Sequence, residues 1–399
     1  MSESIIPRFR ERGTTHQHMF KSFRIGSAFG IPIKLDVTLL VILPVFAWLI
    51  GSQITELVVL LNGTLGTGIR VESIASGAWP WLLGAIAAIG LFVGVTLHEL
   101  GHSLVAIRYG YDIDSITLWL LGGLAQFTEQ PRTWHHEFWI AIAGPVVSVA
   151  VGAVCYLAVL ALPPGFDAAV FVFGYLALLN VVLAVFNMLP AFPLDGGRVL
   201  RSLFARTQPF AQATLQAVRI GKFFAVLLGL FGLLAFNVFL IAVAFFIYIV
   251  GAAEGRQTVL SSVFEGVPVR NVMTPARDVV TVPADLPLAE LLDRMLEYRH
   301  SGYPVVRDGD VVGIVTLEDF RAVPPQKRAD RTVADAMSTE LRTVPAESDL
   351  MEAFTEIARG NVGRLVVVDA REEFVGLVTR TDLVRAFEII REHRLDADR

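Results

Sequence analysis

Across its 399 residues the chain has a single cysteine, Cys155. One thiol can close no intramolecular disulfide and build no Cys-rich metal site, which excludes a disulfide scaffold and a zinc ribbon. Charge is scarce as well. Only 18% of residues are Asp, Glu, Lys or Arg, against about 25% in soluble domains. The net charge is −5 and no basic block appears, so nucleic acid is not expected as a partner. What the chain does hold is apolar: 54% of residues are hydrophobic and the mean hydropathy is +0.59. The scarcity of charge is uneven, since residues 1–257 carry 15 Lys/Arg and 13 Asp/Glu whereas residues 258–399 carry 18 and 25. A membrane part is therefore expected to precede a soluble, acidic part, with the boundary near Gly255.

A spanning helix needs about 20 mostly apolar residues. Candidates lie at about 35–52, 79–109, 137–162, 167–190, 219–235 and 237–253. The last two form one run, Phe223 to Val250, interrupted only by Asn237, and length alone decides neither one span nor two. The N-terminus, with Arg8, Arg10, Arg12, Lys21 and Arg24 and no apolar signal-peptide core, reads as a cytoplasmic tail over 1–30. With that tail inside, six spans leave Arg108, Arg132, Arg198, Arg201, Arg206, Arg219 and Lys222 on the inner side and only Arg70 on the outer. This obeys the positive-inside rule and keeps the soluble part in the cytoplasm.

Within the second span lies His98-Glu99-Leu100-Gly101-His102. Residues i and i+4 share a helical face, so both imidazoles can converge on one Zn²⁺, while Glu99 can reach a water there as general base. Ionisable groups at this depth are costly in lipid, which makes the cluster functional by default. A catalytic zinc takes three protein ligands. Asp195, in the stretch from Asn187 through Pro190, Pro193 and Leu194 to Gly196, Gly197 and Arg198, is the third candidate. His98 lies 19 residues after Trp79 and so near the inner boundary, and Asp195 follows the exit of the fourth span at the same boundary. The competing reading is a plain Asp-Gly-Gly turn.

His98 to His102, the Asn187-to-Arg198 stretch and the intervening Ala143-Gly144-Pro145 resemble the site-2 protease family of intramembrane zinc metalloproteases over residues 31–255. The resemblance implies one Zn²⁺ per chain held by His98, His102 and Asp195, catalysis by Glu99, and help from Asn187 in holding the substrate or its oxyanion. It implies as substrate a single-span membrane protein within the bilayer, in bacterial relatives often an anti-sigma factor. Residues 115–128 are β-rich, with Gly122-Gly123 as a turn, and read as a hairpin dipping beside the metal whose edge pairs with an unwound substrate. The alternative is an interfacial hairpin anchored by Trp119 and Trp134.

The soluble part repeats. Val272-Met273-Thr274 recurs as Ala336-Met337-Ser338, Val282-Pro283-Ala284-Asp285 as Val344-Pro345-Ala346-Glu347, and the segment from Gly313 to Asp319 as Gly376 to Asp382. Offsets of 64, 62 and 63 residues fit a duplicated small α+β domain. The tandem resembles a pair of CBS domains, at 268–323 and 330–390. That resemblance implies an adenine nucleotide, ATP or AMP, with Thr316 and Thr379 at phosphate and Asp319 and Asp382 at ribose, and a homodimer through the pair. The simpler reading makes both aspartates helix N-caps.

The expectation is thus a polytopic α-helical membrane protein of about six transmembrane helices, with a C-terminal α+β CBS tandem. Its function is intramembrane zinc proteolysis under nucleotide control, and its place is the cell membrane. The alternatives are a CBS-gated metal or ion transporter and an inactive zinc-binding sensor. His16, His18, His135, His136, His300 and His393 read as solvated rather than ligating.

Overall fold

The structure, a computed structural model, describes residues 22–119, 122–127, 131 and 133–397. Arg8, Arg10, Arg12, His16, His18, Lys21, Leu120 and Arg132 lie outside the described residues. The chain divides into two compact units, Met1–Gly255 and Arg256–Arg399.

The first unit opens with a strand pair, β1 (Ser22–Ala28) and β2 (Ile31–Asp36), where the sequence reading expects a tail up to residue 30. Phe29 and Gly30 take positive φ and close the turn between them. Asp36 then caps α1 (Val37–Ser52), its carboxylate accepting from the Thr38 backbone N–H at 2.9 Å. After α1 the chain bends by 70° into α2 (Ile54–Leu65). The sequence reading places only an outer loop at 53–78; the structure finds α2 and the short α3 (Val71–Ile74) there. The reason is burial: Ile54, Val58, Leu61, Ile69 and Ile74 sink into one apolar cluster with Leu83, Val170 and Phe171.

Among the described residues, five further helices are long and apolar enough to cross a membrane. They are α4 (Trp79–Arg108), α5 (Trp134–Ala161), α6 (Asp167–Asn187), α8 (Phe210–Leu234) and α9 (Val238–Phe264), with the short α7 (Asp195–Phe204) between α6 and α8. The bent α1/α2 pair makes a sixth span by the same measure. The run from Phe223 to Val250 resolves into two helices, since Phe236 adopts φ 52° and the Asn237 side chain accepts from the Leu240 backbone N–H at 3.0 Å. The fifth span starts at Phe210, nine residues before the expected 219.

Between α4 and α5 run β3 (Ile113–Trp119) and β4 (Gly122–Phe127), the expected hairpin, but Gly122 and Gly123, read as its turn, belong to β4, where they pair with Trp119 and Leu118. It is half of a four-stranded sheet of order β1-β2-β3-β4, in which β2 and β3 are parallel, Ile33 facing Ile116. Strand β4 is an edge. Ile31, Ile116 and Leu118 of this sheet pack with Phe92, Val95 and Leu100 of α4, on either side of His98.

In the second unit β6 (Val282–Pro283), β7 (Gly302–Arg307) and β8 (Asp310–Thr316) form one sheet. The other holds β5 (Thr274–Pro275), β11 (Phe374–Thr379), β10 (Arg364–Val368) and β9 (Thr343–Pro345), in that order. Helices α10 (Leu288–Tyr298), α11 (Leu317–Ala322), α12 (Leu350–Gly360) and α13 (Arg380–Ala397) complete the α+β pair. The copies exchange segments. Strand β5, near the start of the first copy, pairs with β11 of the second, Thr274 facing Leu377. Ser338, near the start of the second, bridges to Ile314 of the first with both backbone bonds at 2.9 Å. The repeated methionines explain the repeated glycines, because a Cβ on Gly313 would lie 2.5 Å from the Met337 sulfur and one on Gly376 2.8 Å from that of Met273.

Candidate metal centre and active site

His98 and His102 face the same side of α4 and both are buried. Asp195 reaches them as the first residue of α7, buried in its turn. Its Oδ2 lies 3.1 Å from Nε2 of His98 and 3.2 Å from Nε2 of His102, and the two nitrogens are 3.1 Å apart. The three atoms make a nearly equilateral triangle. Ligands at the tetrahedral Zn–N and Zn–O distances of about 2.0–2.2 Å stand roughly 3.3–3.5 Å from one another, so this triangle is close to one face of that tetrahedron.

Helix α5 fixes how the rings present themselves. The Nδ1–H of His102 donates to the Ile140 carbonyl at 2.6 Å, and since a carbonyl only accepts, a neutral ring must carry its lone pair on Nε2, facing the triangle. Nδ1 of His98 is paired with the Ser148 hydroxyl at 2.8 Å. The Nε2 lone pair of His102 and the Asp195 carboxylate face one another with Nε2 of His98 beside them, a spacing that fits a cation among the three. The donor set of two imidazoles and a carboxylate suits zinc.

Three glycines make room for the cluster. A Cβ on Gly144, in the Ala143-Gly144-Pro145 stretch of α5, would lie 2.2 Å from Nε2 of His102. One on Gly196 would meet the Met188 and Leu189 carbonyls at 2.3 Å, so only glycine lets α7 start against that turn. One on Gly123 would lie 2.3 Å from Cγ of Glu99, which places the edge strand β4 against that side chain. Glu99 is half-buried, and one of its carboxylate oxygens lies within 4.8 Å of a ring nitrogen of His98 and of one of His102. Two carboxylates thus approach the histidines. That of Asp195 makes direct contact with both, and that of Glu99 stands off on the side of the sheet.

Asn187 ends α6, half-buried and eight residues before Asp195; the structure shows it in no hydrogen bond with the histidines or either carboxylate. Sequence reasoning missed Ser148 and the Ile140 carbonyl, and also Asn180. The Asn180 amide is buried in α6 and abuts Gly94, one helical turn before His98. It missed, too, that Arg201 is buried in ion pairs rather than a free inner-side charge.

In the CBS copies the threonines, not the aspartates, stand at the N-cap position, and each aspartate is the third helical residue of a capping box. The Thr316 hydroxyl and backbone N–H donate to Oδ2 of Asp319 at 2.7 and 2.8 Å, and the Asp319 N–H returns to the Thr316 hydroxyl at 3.3 Å. Thr379 and Asp382 repeat the box at 2.7, 2.9 and 3.2 Å. Each box uses Oδ2 alone. Arg364 of β10 donates to the Gly302 carbonyl and, at 3.3 Å, to the Ser301 hydroxyl, so the second copy reaches the Ser301-Gly302 stretch of the first. Burial lowers the Arg364 guanidinium from its ordinary value.

The model of Peptidase family M50 matches residues 86–166 and 164–228, the helices that carry this cluster, and the CBS domain model matches 269–325 and 333–389. A zinc metalloprotease of Methanocaldococcus jannaschii is 34% identical over 374 residues, 92% of this chain and 97% of that protein. The chain is a site-2 protease of Peptidase family M50. Rip3 of Mycobacterium tuberculosis is 32% identical to this site-2 protease over 382 residues, 92% of this chain and 93% of Rip3. The solved site-2 protease of M. jannaschii is 35% identical and covers 59% of this chain and 96% of that one, with a TM-score of 0.40. The full-length relatives make the protein a multi-pass zinc metalloprotease with a CBS pair, which sets aside the transporter reading.

Proposed function

We propose that His98, His102 and Asp195 hold the zinc of this protease and that Glu99 is its general base. The triangle of 3.1–3.2 Å among Nε2, Nε2 and Oδ2, buried inside an apolar helix bundle, carries the assignment. Zinc, when bound, supplies a Lewis acid that polarises a water and the scissile carbonyl. Glu99, standing off from the triangle, takes the proton of the attacking water and delivers it to the leaving amine. Ser148 and the Ile140 carbonyl hold the imidazoles in orientation. Asn187 binds the substrate backbone near the carbonyl.

The substrate is the transmembrane segment of a single-span membrane protein. A helical substrate hides its carbonyl in its own hydrogen bonds and must unwind. The edge strand β4, lying against Glu99 at Gly123, offers backbone groups to the unwound stretch, with Gly122 and Gly123 keeping the approach clear. Leu124→Pro in β4 removes one backbone donor and is expected to lower cleavage with the zinc content unchanged. The N-terminus and the CBS pair face the cytoplasm, as the inner-side arginines require. The pair binds an adenine nucleotide, its phosphate at Thr316 and Thr379 and its ribose at Asp319 and Asp382, and joins two chains.

The deciding experiment incubates purified wild type and Glu99→Gln with a transmembrane peptide and measures zinc content alongside cleavage. The expected result is equal zinc and no cleavage by the variant. Full activity in Glu99→Gln sinks the assignment. Calorimetric titration of the full chain with ATP and AMP tests the CBS reading, which absence of heat from both would overturn.

A further inference from the structure

Asp195 is fastened by little of its own. It opens a helix of ten residues, α7, and the segment before it is a succession of turns. Two turns along α7 lies Arg201, an arginine only 5% exposed. Its Nε and Nη2 both donate to Oε1 of Glu137, the former at 2.7 Å, and its Nη1 donates to Glu254 at 3.1 Å. The ring of Phe192, three residues before Asp195, lies 4.9 Å from the guanidinium carbon, and that of Phe210, at the start of α8, lies 4.6 Å away. One side chain thereby touches α5, α8, α9 and the turn that delivers Asp195.

The place of Glu137 gives this arrangement its meaning. It stands three residues, one helical turn, before Ile140, whose carbonyl orients His102. The ion pair therefore joins the two elements that set the triangle: α5, which orients the histidines, and α7, which brings the carboxylate. A guanidinium fork gripping one carboxylate oxygen and flanked by aromatic rings fixes direction as well as distance, which a point charge does not.

We propose that Arg201 is a positioning residue for the metal centre: held between Glu137 and Glu254, it clamps α7 to α5 and α9 and so sets where the Asp195 carboxylate stands relative to His98 and His102. The inference rests on the ligand assignment above. Glu254 lies on α9, which runs unbroken to Phe264, and makes the third leg of the clamp.

The test uses the purified full chain, with metal affinity measured by competition against a chelator and coordination read from the visible absorption of the Co²⁺-loaded protein. Arg201→Gln is expected to weaken metal binding by about 10- to 100-fold, the range for changes just behind metal ligands, and to alter the Co²⁺ spectrum. It is expected to lower kcat for a transmembrane peptide with KM within about twofold of wild type. Arg201→Lys, which keeps the charge and loses the fork, should recover part of the affinity, and Glu254→Gln should lose less than Arg201→Gln. Arg70→Gln is the control: it breaks an ion pair of 3.1 Å with Asp167 in the same unit and should leave metal affinity and spectrum unchanged. Wild-type affinity and spectrum in folded Arg201→Gln overturn the proposal, as does an equal loss in Arg70→Gln. If Arg201→Gln does not fold, wild-type values in both Arg201→Lys and Glu254→Gln overturn it. Asp195→Ala separates the two levels. Unchanged metal binding there overturns the ligand assignment itself, whereas its loss alongside an unaffected Arg201→Gln overturns this inference alone.

Discussion

Adding one methyl group at Gly144 should disable the metal centre without touching a ligand. The Cβ of Gly144→Ala would stand 2.2, 2.5 and 2.8 Å from Nε2, Cε1 and Cδ2 of His102. Those atoms span the ring, so rotation about χ2 gives no escape, and the ring must recede. Restoring an ordinary contact near 3.4 Å requires a shift of about 1.2 Å at Nε2. The ring is tied behind by the 2.6 Å bond to Ile140, and a shift of this size opens a triangle whose sides are 3.1–3.2 Å. Overpacking of this kind costs about 1–3 kcal/mol of folding stability, and a misplacement of about 1 Å at a reacting centre costs on the order of 100-fold in rate. The assay is zinc content by elemental analysis and cleavage of a transmembrane peptide in detergent, with the melting temperature followed in parallel. Gly63→Ala is the matched control, since a Cβ there meets nothing within 4 Å and helix propensity favours alanine. Stoichiometric zinc and more than half of wild-type cleavage in Gly144→Ala would refute the reasoning. So would an equal loss in Gly63→Ala.

Asp195→Ala should lose bound zinc and cleavage together, whereas Glu99→Gln should lose about 100- to 10,000-fold in rate and keep the metal; elemental analysis separates the two. Ser148→Ala removes the partner of Nδ1 on His98 and should weaken zinc by about 10- to 100-fold in a chelator competition. Asp382→Ala breaks a capping box and should lower the stability of the CBS pair by about 1 kcal/mol in denaturant unfolding, with or without nucleotide. Backbone and hydroxyl donors from Thr332 hold the Asp335 carboxyl below its ordinary value. A depressed carboxyl stabilises the fold above its unfolded value, near 3.9, and that contribution fades as pH falls through its folded value. Asp335→Asn should therefore flatten the acid side of the stability profile and leave neutral pH less stable than wild type.

The proposed metal ligands were legible because lipid excludes charge. Two histidines and a carboxylate inside an apolar run need a reason, and helical spacing put His98 and His102 on one face. Their supports left no such mark. The Ile140 carbonyl is backbone, with no sequence signature, and Ser148 is an ordinary small residue in a membrane helix. Strand β1 was hidden by Arg24 in a stretch that read as tail, and β3, the partner of β2, comes some 80 residues later. Gln212 and Gln216 disguised the first turns of α8, a helix that starts before its apolar run does. The charge count at the expected inner boundary was blind to Arg201, which faces Glu137 rather than water. Only the packing of α5 against α7 shows it.

The exchange between the CBS copies has a consequence for anyone who would divide the protein. Thr274 finds its partner at Leu377, 103 residues on, and Ile314 finds its partner in Ser338 across the linker. A ribosome making this chain completes the first copy's sequence before the strand that pairs with β5 exists, so the two halves must wait for each other. A fragment cut at residue 330 would contain one whole repeat and an open seam where Met337 should fill the space beside Gly313. The repeat as written and the unit that folds are therefore different lengths of chain, and any graft or truncation should start ahead of β5 and run through β11.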